Sequence, residues 1–234
     1  KELREKSGAG MMDCKGALDE ANGDIEKAFE FLRLKGLKGV SKREGRTTSN
    51  GLIVSRVGDG AGVLVELACE TDFVAKAENF VTLADQVADA IAAAGAKNVE
   101  DGLKATHDGK TVADLIVDKA AIMGEKVELR KVEVISAAGI DAYMHRTSRD
   151  LPPQVGVLLG FDGADIETAH DIAVHIAAFS PTYLSREDVP AEIVAKEREI
   201  AAETARNEGK PEAALEKIVE GRVTGFFKET CLLD

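Results

Sequence analysis

The feature that most constrains the fold of this chain is an internal repeat of a strand followed by a helix. The strand-like segment GVLVEL (62–67) aligns with GVLLGF (156–161), and the helical segment IAAA (91–94) aligns with IAAF (176–179). Because both pairs match in type, the sequence predicts a duplicated strand–helix unit. Along the chain, the distance between the two strand segments exceeds the distance between the two helical segments by nine residues. We therefore expect nine additional residues between strand and helix in the first copy.

Each copy begins with a predicted pair of antiparallel strands. The runs LIVSRV (52–57) and VLVELA (63–68) flank GDGAG, whereas GIDAYMHR (139–146) and VGVLLGF (155–161) flank the Pro152–Pro153 turn. The glycines of GDGAG do not indicate a dinucleotide site, because such a loop leads from a strand into a helix and this one leads into another strand.

A long helix and a further strand complete the first copy. The helix AENFVTLADQVADAIAAAG should end at Gly95, and its inward residues are Phe80, Leu83, Ala84, Val87 and Ile91. The strand KVELRKVEVI changes phase between Leu129 and Val132, which predicts a bulge around Arg130 and Lys131. The pattern predicts an α+β fold whose core has two related α+β subdomains with antiparallel sheets, at 51–136 and 137–234.

The first 36 residues form a predicted module of three short helices. Asn22–Gly23 is a helix-stop signal, and Asp24 can cap the third helix, DIEKAFEFLRLKG. Apolar residues of this helix recur on one face at helical spacing: Ile25, Ala28, Phe29 and Leu32. A basic linker, 37–50, is expected to join the module 1–36 to the core.

The charge of the chain favours a protein partner over a nucleic acid. Its 42 acidic and 30 basic side chains give a formal net charge of −12, whereas nucleic-acid binding depends on cations that neutralise phosphates. The stretch KGLKGVSKREGR (35–46) is a local basic exception. A solvated linker is the expected interpretation of this stretch, and an RNA-binding arm is the alternative.

The connection CETDFVAKAENF (69–80) carries a large aromatic residue, Phe73, although only 4% of the residues are aromatic. It lies in the longer strand-to-helix connection, which the second copy of the repeat lacks. An aromatic side chain on such a connection is a candidate recognition element. The alternative is that Phe73 folds back onto its own sheet as a core residue, and the sequence leaves both interpretations open.

The last part of the chain has the pattern of two long helices. Ser185 with Asp188 resembles a capping box, and Pro190 and Pro211 mark helix starts. The pattern predicts an antiparallel hairpin over 187–224, which either projects from the core or packs flat on it. The expected contacts between its helices join Ile193, Ile200 and Thr204 to Leu215, Ile218 and Val223.

The sequence contains no recognisable catalytic motif. His170 and His175 lie five positions apart on one predicted helix and so face different ways, which does not suit a metal. The signatures of metalloproteases, P-loop proteins and serine hydrolases are absent. We expect no metal, no cofactor and no enzymatic reaction. Three cysteines without a CxxC pair indicate a reducing cytoplasm, and no apolar run is long enough to span a membrane.

Four motifs, in order from residue 3 to residue 222, resemble the bacterial elongation factor Ts family. They are LREKSGAGMMDCKGALDEANGDIEKAFEFL, ETDFVAK, HIAAFSPTYLSREDVP and GKPEAALEKIVEGR, and together they cover essentially the whole chain. The resemblance implies a ubiquitin-associated-like module at 1–36, two α+β core subdomains and a coiled-coil hairpin projecting from the second. It also implies that the family's chains usually continue past the position of Asp234.

The resemblance further implies a guanine nucleotide exchange factor that releases GDP from elongation factor Tu so that GTP can rebind. In this family a loop enters the G domain of the partner near its magnesium site. The residues that match this loop are Thr71, Asp72, Phe73 and Val74. Other positions that face the partner are matched by Met11, Met12, Lys15 and His145.

The partner implied is elongation factor Tu in its GDP or nucleotide-free form, with no direct contact to nucleic acid or membrane. A protein-binding adaptor without exchange activity is the alternative function, since a three-helix module can dock on many proteins. An adaptor has no need of the loop at 71–74, and this loop is the feature that separates the two hypotheses.

Overall fold

The computed structural model describes residues 1–7, 9–58, 60–163 and 165–234. The chain divides into two compact units, Lys1–Ala173 and Val174–Asp234. The finer division predicted from the sequence, into 1–36, 37–50, 51–136 and 137–234, stays a prediction. The fold combines small antiparallel sheets with α-helices, which confirms the α+β class.

The helices and strands follow one another along the chain with these bounds. The helices are α1 (Glu2–Ser7), α2 (Met11–Glu20), α3 (Ile25–Val40), α4 (Asp72–Ala75), α5 (Glu78–Ala94), α6 (Val99–Lys104), α7 (Val112–Met123), α8 (Ile166–Phe179), α9 (Ala191–Asn207) and α10 (Glu212–Thr230). The strands are β1 (Asn50–Gly58), β2 (Ala61–Cys69), β3 (Thr106–His107), β4 (Lys110–Thr111), β5 (Val127–Ser136), β6 (Gly139–His145) and β7 (Val155–Phe161).

The predicted strand pairs are confirmed as antiparallel hairpins. Strands β1, β2 and β5 form one sheet in that order, and β6 pairs with β7. Asp59, in the connection between β1 and β2, lies outside the described residues. The predicted bulge in β5 is also confirmed. Glu66 pairs with Lys131 and Leu67 pairs with Leu129, so Arg130 is the additional, bulged residue opposite β2.

The main core lies between α5 and one face of the three-stranded sheet. Every inward residue predicted for α5 is fully buried: Phe80, Leu83, Ala84, Val87 and Ile91. Alternate residues of β2, namely Val63, Val65 and Leu67, face this helix from the sheet, as the period of two requires. The helix ends at Gly95 in the left-handed conformation, with φ of 63°, as the sequence predicts.

The hairpin of β6 and β7 covers the other face of the same sheet. A Cβ atom added to Gly156 would lie 3.0 Å from a side-chain carbon of Ile53 and 3.1 Å from one of Leu64, both from that face. The backbone N–H of Ile53 also donates to the carbonyl of Pro153 at 2.9 Å. The sheet is therefore sandwiched between α5 and the second hairpin.

The nine-residue difference between the two repeats is not confined to the connection between strand and helix. The connection spans 70–77 in the first copy and 162–165 in the second. Strand β2 is also longer than β7, at 9 against 7 residues, and α5 is longer than α8, at 17 against 14. The expected nine additional residues in the loop are thus corrected to a smaller excess, because the longer sheet and helix of the first copy absorb the rest.

The N-terminal helices form a small core of their own, in which the largest buried side chains are Leu3 and Leu32. The stop at Asn22–Gly23 is confirmed by their positive φ angles of 50° and 83°. Asp24 caps α3 as predicted, since its Oδ1 accepts from the N–H of Lys27 at 3.1 Å. Helix α3 continues to Val40 and a short 3₁₀ turn follows at Ser41–Arg43, so the first residues of the predicted linker 37–50 are helical.

Helix α3 continues past residue 36 because it is packed against α7. A Cβ atom on Gly36 would lie 2.1 Å from the carbonyl oxygen of Ala121, so only glycine permits this close approach. Arg33 pairs with Asp118 of the same helix at 3.2 Å. The last turns of α3 therefore behave as part of the first compact unit rather than as a connection.

In the second unit, α9 and α10 run antiparallel. Ion pairs join Arg198 to Glu220 and Arg206 to Glu212, the second at 3.2 Å. A residue later in α9 is thus paired with a residue earlier in α10, as antiparallel helices require. The predicted capping box is present, with the Asp188 carboxylate accepting from the N–H of Ser185 at 3.0 Å. The predicted contact residues Ile200 and Thr204 are exposed, although they line one groove with Val223, and the buried residues are Ala201 and Ala205 of α9 and Leu215 and Val223 of α10.

Candidate functional site

Residues 71–75 form a single helical turn at the end of β2. Thr71 is the N-cap residue, and its Oγ1 accepts from the N–H of Val74 at 3.4 Å. The N–H groups of Ala75 and Lys76 donate to the carbonyls of Thr71 and Asp72. This local pattern, a Thr cap followed by one turn, places Thr71 at the cap of α4 and the other three predicted loop residues, Asp72, Phe73 and Val74, on α4 itself.

The side chain of Phe73 is 73% exposed. The Lys76 ammonium lies 4.7 Å from the centre of the Phe73 ring and also pairs with Asp72 at 3.4 Å. The next residue, Val74, packs against the main core, and Ala75 is fully buried. The interpretation of Phe73 as a core residue is therefore wrong, and its ring is presented to solvent.

Glu125 holds the turn from the side of the core, and no sequence motif indicated this residue. Its Oε2 accepts from the N–H groups of Glu70 at 3.1 Å and Thr71 at 3.0 Å, and its Oε1 accepts from Thr71 Oγ1 at 2.5 Å. Glu125 is separated from Thr71 by 54 positions. No local pattern can reveal such a contact, because it exists only once β5 is paired with β2.

The segment before the turn is held by a second carboxylate, Glu70. Its Oε1 accepts from the N–H of Lys126 at 2.6 Å, and Arg46 donates to both carboxylate oxygens at 3.2 Å. The side-chain amide of Asn50 donates to the Glu70 carbonyl at 2.9 Å. The backbone of Glu70 and Thr71 is thus fixed by the connection between α7 and β5 and by Asn50.

Several cations of the basic stretch 35–46 have partners within the chain. Lys35 pairs with Asp13 at 3.0 Å, Arg43 donates to the carbonyl of Ala120, and Arg46 pairs with Glu70. These three cations are engaged within the chain. The contacts do not favour the alternative of an RNA-binding arm, and they give the stretch a structural role that a solvated linker would not have.

The thiol of Cys69 lies under the turn and donates to the carbonyl of Thr71 at 3.3 Å. Burial and, to a smaller extent, the nearby Glu125 carboxylate raise the pKa of this thiol to about 12, against the weaker opposing effect of the hydrogen bond. Cys69 therefore stays protonated near neutral pH, and its contact with the turn is a neutral hydrogen bond.

The predicted docking residues of the module lie on α2. Met11 and Met12 are 68% and 76% exposed, and Lys15 is exposed as well, whereas Cys14 and Ala17 of the same helix are buried. Both methionines are thus on the solvent side.

The helical turn at 71–75 approaches the first helix, because Phe73, Val74 and Met123 line one groove together with Arg4 of α1.

His145, the last predicted residue, is exposed at the end of β6. Its Nδ1 lies 3.1 Å from the hydroxyl of Tyr143, whose ring stands edge-on to His170 at 5.6 Å between centroids. His170 in turn approaches Asp141 at 3.1 Å. The structure therefore places His145 in a polar cluster on the second hairpin, on a different element from α4 and α2.

At these positions the described residues make hydrogen bonds, ion pairs and apolar contacts. Among these residues, no group of three or more His, Cys, Asp or Glu side chains is arranged to hold a metal ion. A search of the same residues finds no helix with the length and apolar character needed to cross a membrane. The exposed ring of Phe73 on its fixed turn is the most distinctive feature of this surface.

Comparison with known proteins gives a consistent result. The sequence model of the family described as "Elongation factor TS" matches residues 70–234. Elongation factor Ts of Micrococcus luteus is 59% identical over 237 residues, which cover 100% of this chain and 85% of that protein. The proteins of the same name from Paenarthrobacter aurescens and Clavibacter michiganensis are 57% and 58% identical, with the same shares covered.

Proposed function

This chain belongs to the elongation factor Ts family, and from that premise we propose that it is a guanine nucleotide exchange factor for elongation factor Tu. It binds elongation factor Tu with GDP and promotes release of the nucleotide, so that GTP can rebind. The family name places the chain in translation elongation. The proposed setting is the cytoplasm, and the proposed partner surface is the G domain.

The exposure of Phe73 is the observation that carries this proposal. A phenylalanine that is 73% exposed on a fixed helical turn contributes little to the stability of the free protein, whereas its burial in a partner would stabilise the complex. Complete burial of such a side chain contributes on the order of 1.5–3 kcal/mol. The turn is held by Glu125, so little conformational freedom is lost when Phe73 enters a pocket.

The proposed mechanism is a linkage between two binding equilibria rather than the breaking of a bond. If the chain binds nucleotide-free elongation factor Tu more tightly than the GDP form, it must weaken GDP binding by the same factor. Phe73 acts as a wedge that shifts the partner's elements around its magnesium ion. The half-exposed carboxylate of Asp72, released from Lys76, accepts hydrogen bonds from the rearranged backbone.

The remaining predicted residues contribute affinity in this proposal. Met11 and Met12 offer flexible apolar side chains, which suit a docking surface. Lys15 adds a positive charge beside them, and His145 makes a second, separate contact from the end of β6. The domain organisation proposed with this mechanism is a ubiquitin-associated-like module at 1–36 and a helical hairpin at 187–224 that projects from the core.

Release of labelled GDP from elongation factor Tu tests the proposal directly. The fluorescence of a GDP analogue preloaded on elongation factor Tu is followed after excess unlabelled GDP is added, with and without this chain. We expect the release rate to rise with the concentration of the chain and then to saturate. Binding without any acceleration would instead support the adaptor alternative and would overturn the exchange function.

A further inference from the structure

We propose that Glu125 is a positioning residue, whose carboxylate holds the 71–74 turn in the orientation that presents Phe73 to the partner. The inference rests on the proposed exchange function. The carboxylate accepts three hydrogen bonds from the start of the turn, two from backbone N–H groups and one from the hydroxyl of Thr71. Glu125 itself does not have to touch the partner for this role.

The hydrogen bonds of Glu125 act on the residue that begins the helical turn. Thr71 Oγ1 donates to Glu125 and accepts from the N–H of Val74, so the carboxylate orients the cap that in turn closes the helix. A helix of four residues is far shorter than the about 12–15 residues at which isolated helices become even marginally stable. The turn therefore depends on contacts from outside itself.

The position of Glu125 makes it a rigid support. It follows Gly124, which ends α7 in the left-handed conformation with φ of 78°. One residue, Lys126, separates Glu125 from the start of β5. The contact is also reciprocal: Glu125 binds the N–H groups of Glu70 and Thr71, while Glu70 binds the N–H of Lys126. Two carboxylates thus join the end of β2 to the start of β5.

The support is connected to the N-terminal helices through α7. Gly36 of α3 lies against Ala121 in the last turn of α7, close before Glu125 in sequence. Met123, which lies between Ala121 and Glu125 in sequence, lines the groove that also contains Phe73 and Arg4. Helix α7 therefore packs against α3, and the residue that fixes the turn follows directly after the end of α7.

The first test measures GDP release by Glu125→Ala, Glu125→Gln and Glu100→Ala. Glu100 is a matched control, because it is an exposed glutamate that pairs with Lys104 on α6. We expect Glu125→Ala to lower exchange efficiency roughly tenfold, which corresponds to about 1.4 kcal/mol. Glu125→Gln should retain most of the activity, since its amide oxygen still accepts from the two backbone N–H groups. Glu100→Ala should match the unsubstituted chain.

A double-mutant cycle with Phe73→Ala separates positioning from general stability. If Glu125 acts by placing Phe73, then Glu125→Ala should have almost no further effect on exchange once Phe73 is alanine. A general loss of folded protein would lower exchange by the same factor in both backgrounds. An equal factor in both backgrounds would therefore overturn the inference.

A fluorescence measurement on the free protein completes the test without requiring exchange activity. The chain has no tryptophan, so Phe73→Trp introduces a single reporter on the turn. We expect its time-resolved anisotropy to show faster local motion with Glu125→Ala than with Glu125 or Glu125→Gln. Unchanged local motion would overturn the inference. Failure of the unsubstituted chain to release GDP would overturn the proposed function instead, and the anisotropy result would still decide whether Glu125 fixes the turn.

Discussion

Phe73 and Val74 are consecutive residues of one helical turn, yet their side chains point to opposite environments. Phe73 is 73% exposed, whereas Val74 packs against the core formed by α5 and the sheet. Successive residues of a helix point about 100° apart, so one turn can present one side chain and anchor the other. The turn thereby separates a side chain free for recognition from one required for folding.

Phe73→Ala should reduce exchange far more than it reduces stability. Because the ring is exposed, we expect the free energy of unfolding to fall by less than about 1 kcal/mol, against about 3–5 kcal/mol for a buried phenylalanine. GDP release should nonetheless fall steeply, since the lost contact forms only in the complex. Chemical denaturation and GDP release are measured on the same sample. A loss of exchange that merely follows the folded fraction would contradict this prediction.

Val74→Ala is the matched control on the same turn. Removing two methyl groups from a partly buried side chain should lower the free energy of unfolding by about 1–2 kcal/mol. Exchange per folded molecule should change less than in Phe73→Ala. The comparison uses denaturation midpoints and release rates, and a larger specific loss of exchange in Val74→Ala would show that the two residues have the opposite roles.

Gly36→Ala should destabilise the first compact unit. The added methyl group would meet backbone atoms of Ala121 at 2.1–2.5 Å, and backbone atoms cannot move aside cheaply. We expect a loss of about 1–3 kcal/mol or more in the free energy of unfolding. Gly16→Ala is the control, because Gly16 lies on exposed α2 with no neighbouring atom within 4 Å. That change should stabilise the protein by about 0.5–1 kcal/mol, and equal effects at the two glycines would refute the close packing.

The paired substitution Met11→Ala with Met12→Ala should weaken binding without changing the exchange step. Both side chains are mostly exposed, so stability should change by less than about 1 kcal/mol. In a titration of GDP release, the concentration for half-maximal rate should rise while the saturated rate stays the same. A lower saturated rate at an unchanged half-maximal concentration would be inconsistent with a docking role for α2.

Cys69 should make stability depend on pH in the alkaline range. The pKa of its thiol is raised by burial from its usual 9.0 to about 12 in the folded protein. As the pH rises above about 9, the unfolded chain therefore loses this proton first, and folding stability falls with further increase towards about 12. Between about pH 8 and about pH 10, the unsubstituted chain should lose more stability than Cys69→Ala in chemical denaturation. Equal losses would show that the thiol titrates normally in the folded state.

Much of the fold could be predicted because it depends on local pattern. The inward face of α5, its end at Gly95 and the bulge at Arg130 all follow from the spacing of apolar residues and from glycine placement. The pair Met11 and Met12 and the loop at 71–74 were indicated by motifs shared with the family, and Met11, Met12 and Phe73 are exposed in the structure. For these features the determining interactions lie within a few residues along the chain.

Other features depend on contacts between distant parts of the chain. The sequence did not decide whether Phe73 is buried, it placed the end of α3 four residues too early, and it gave no sign of Glu125 as the support of the turn. It also expected Ile200 to be an inward residue of the helical hairpin, whereas Ile200 is exposed and Ala201 and Ala205 are the buried residues of α9.

The sequence by itself determined the hairpins, the helix faces and the family, because periodicity, turn residues and motifs are properties of neighbouring residues. Only the tertiary structure decided which side chains hold another segment in place, as Glu125 does, and which stay exposed, as Phe73 does. Pairing of β5 with β2 brings the Glu125 carboxylate to the backbone of Thr71, 54 positions away, and packing of α7 on α3 places Ala121 against Gly36. Such contacts are set by close packing between elements that are distant in sequence, and that packing leaves no periodic signal in the chain.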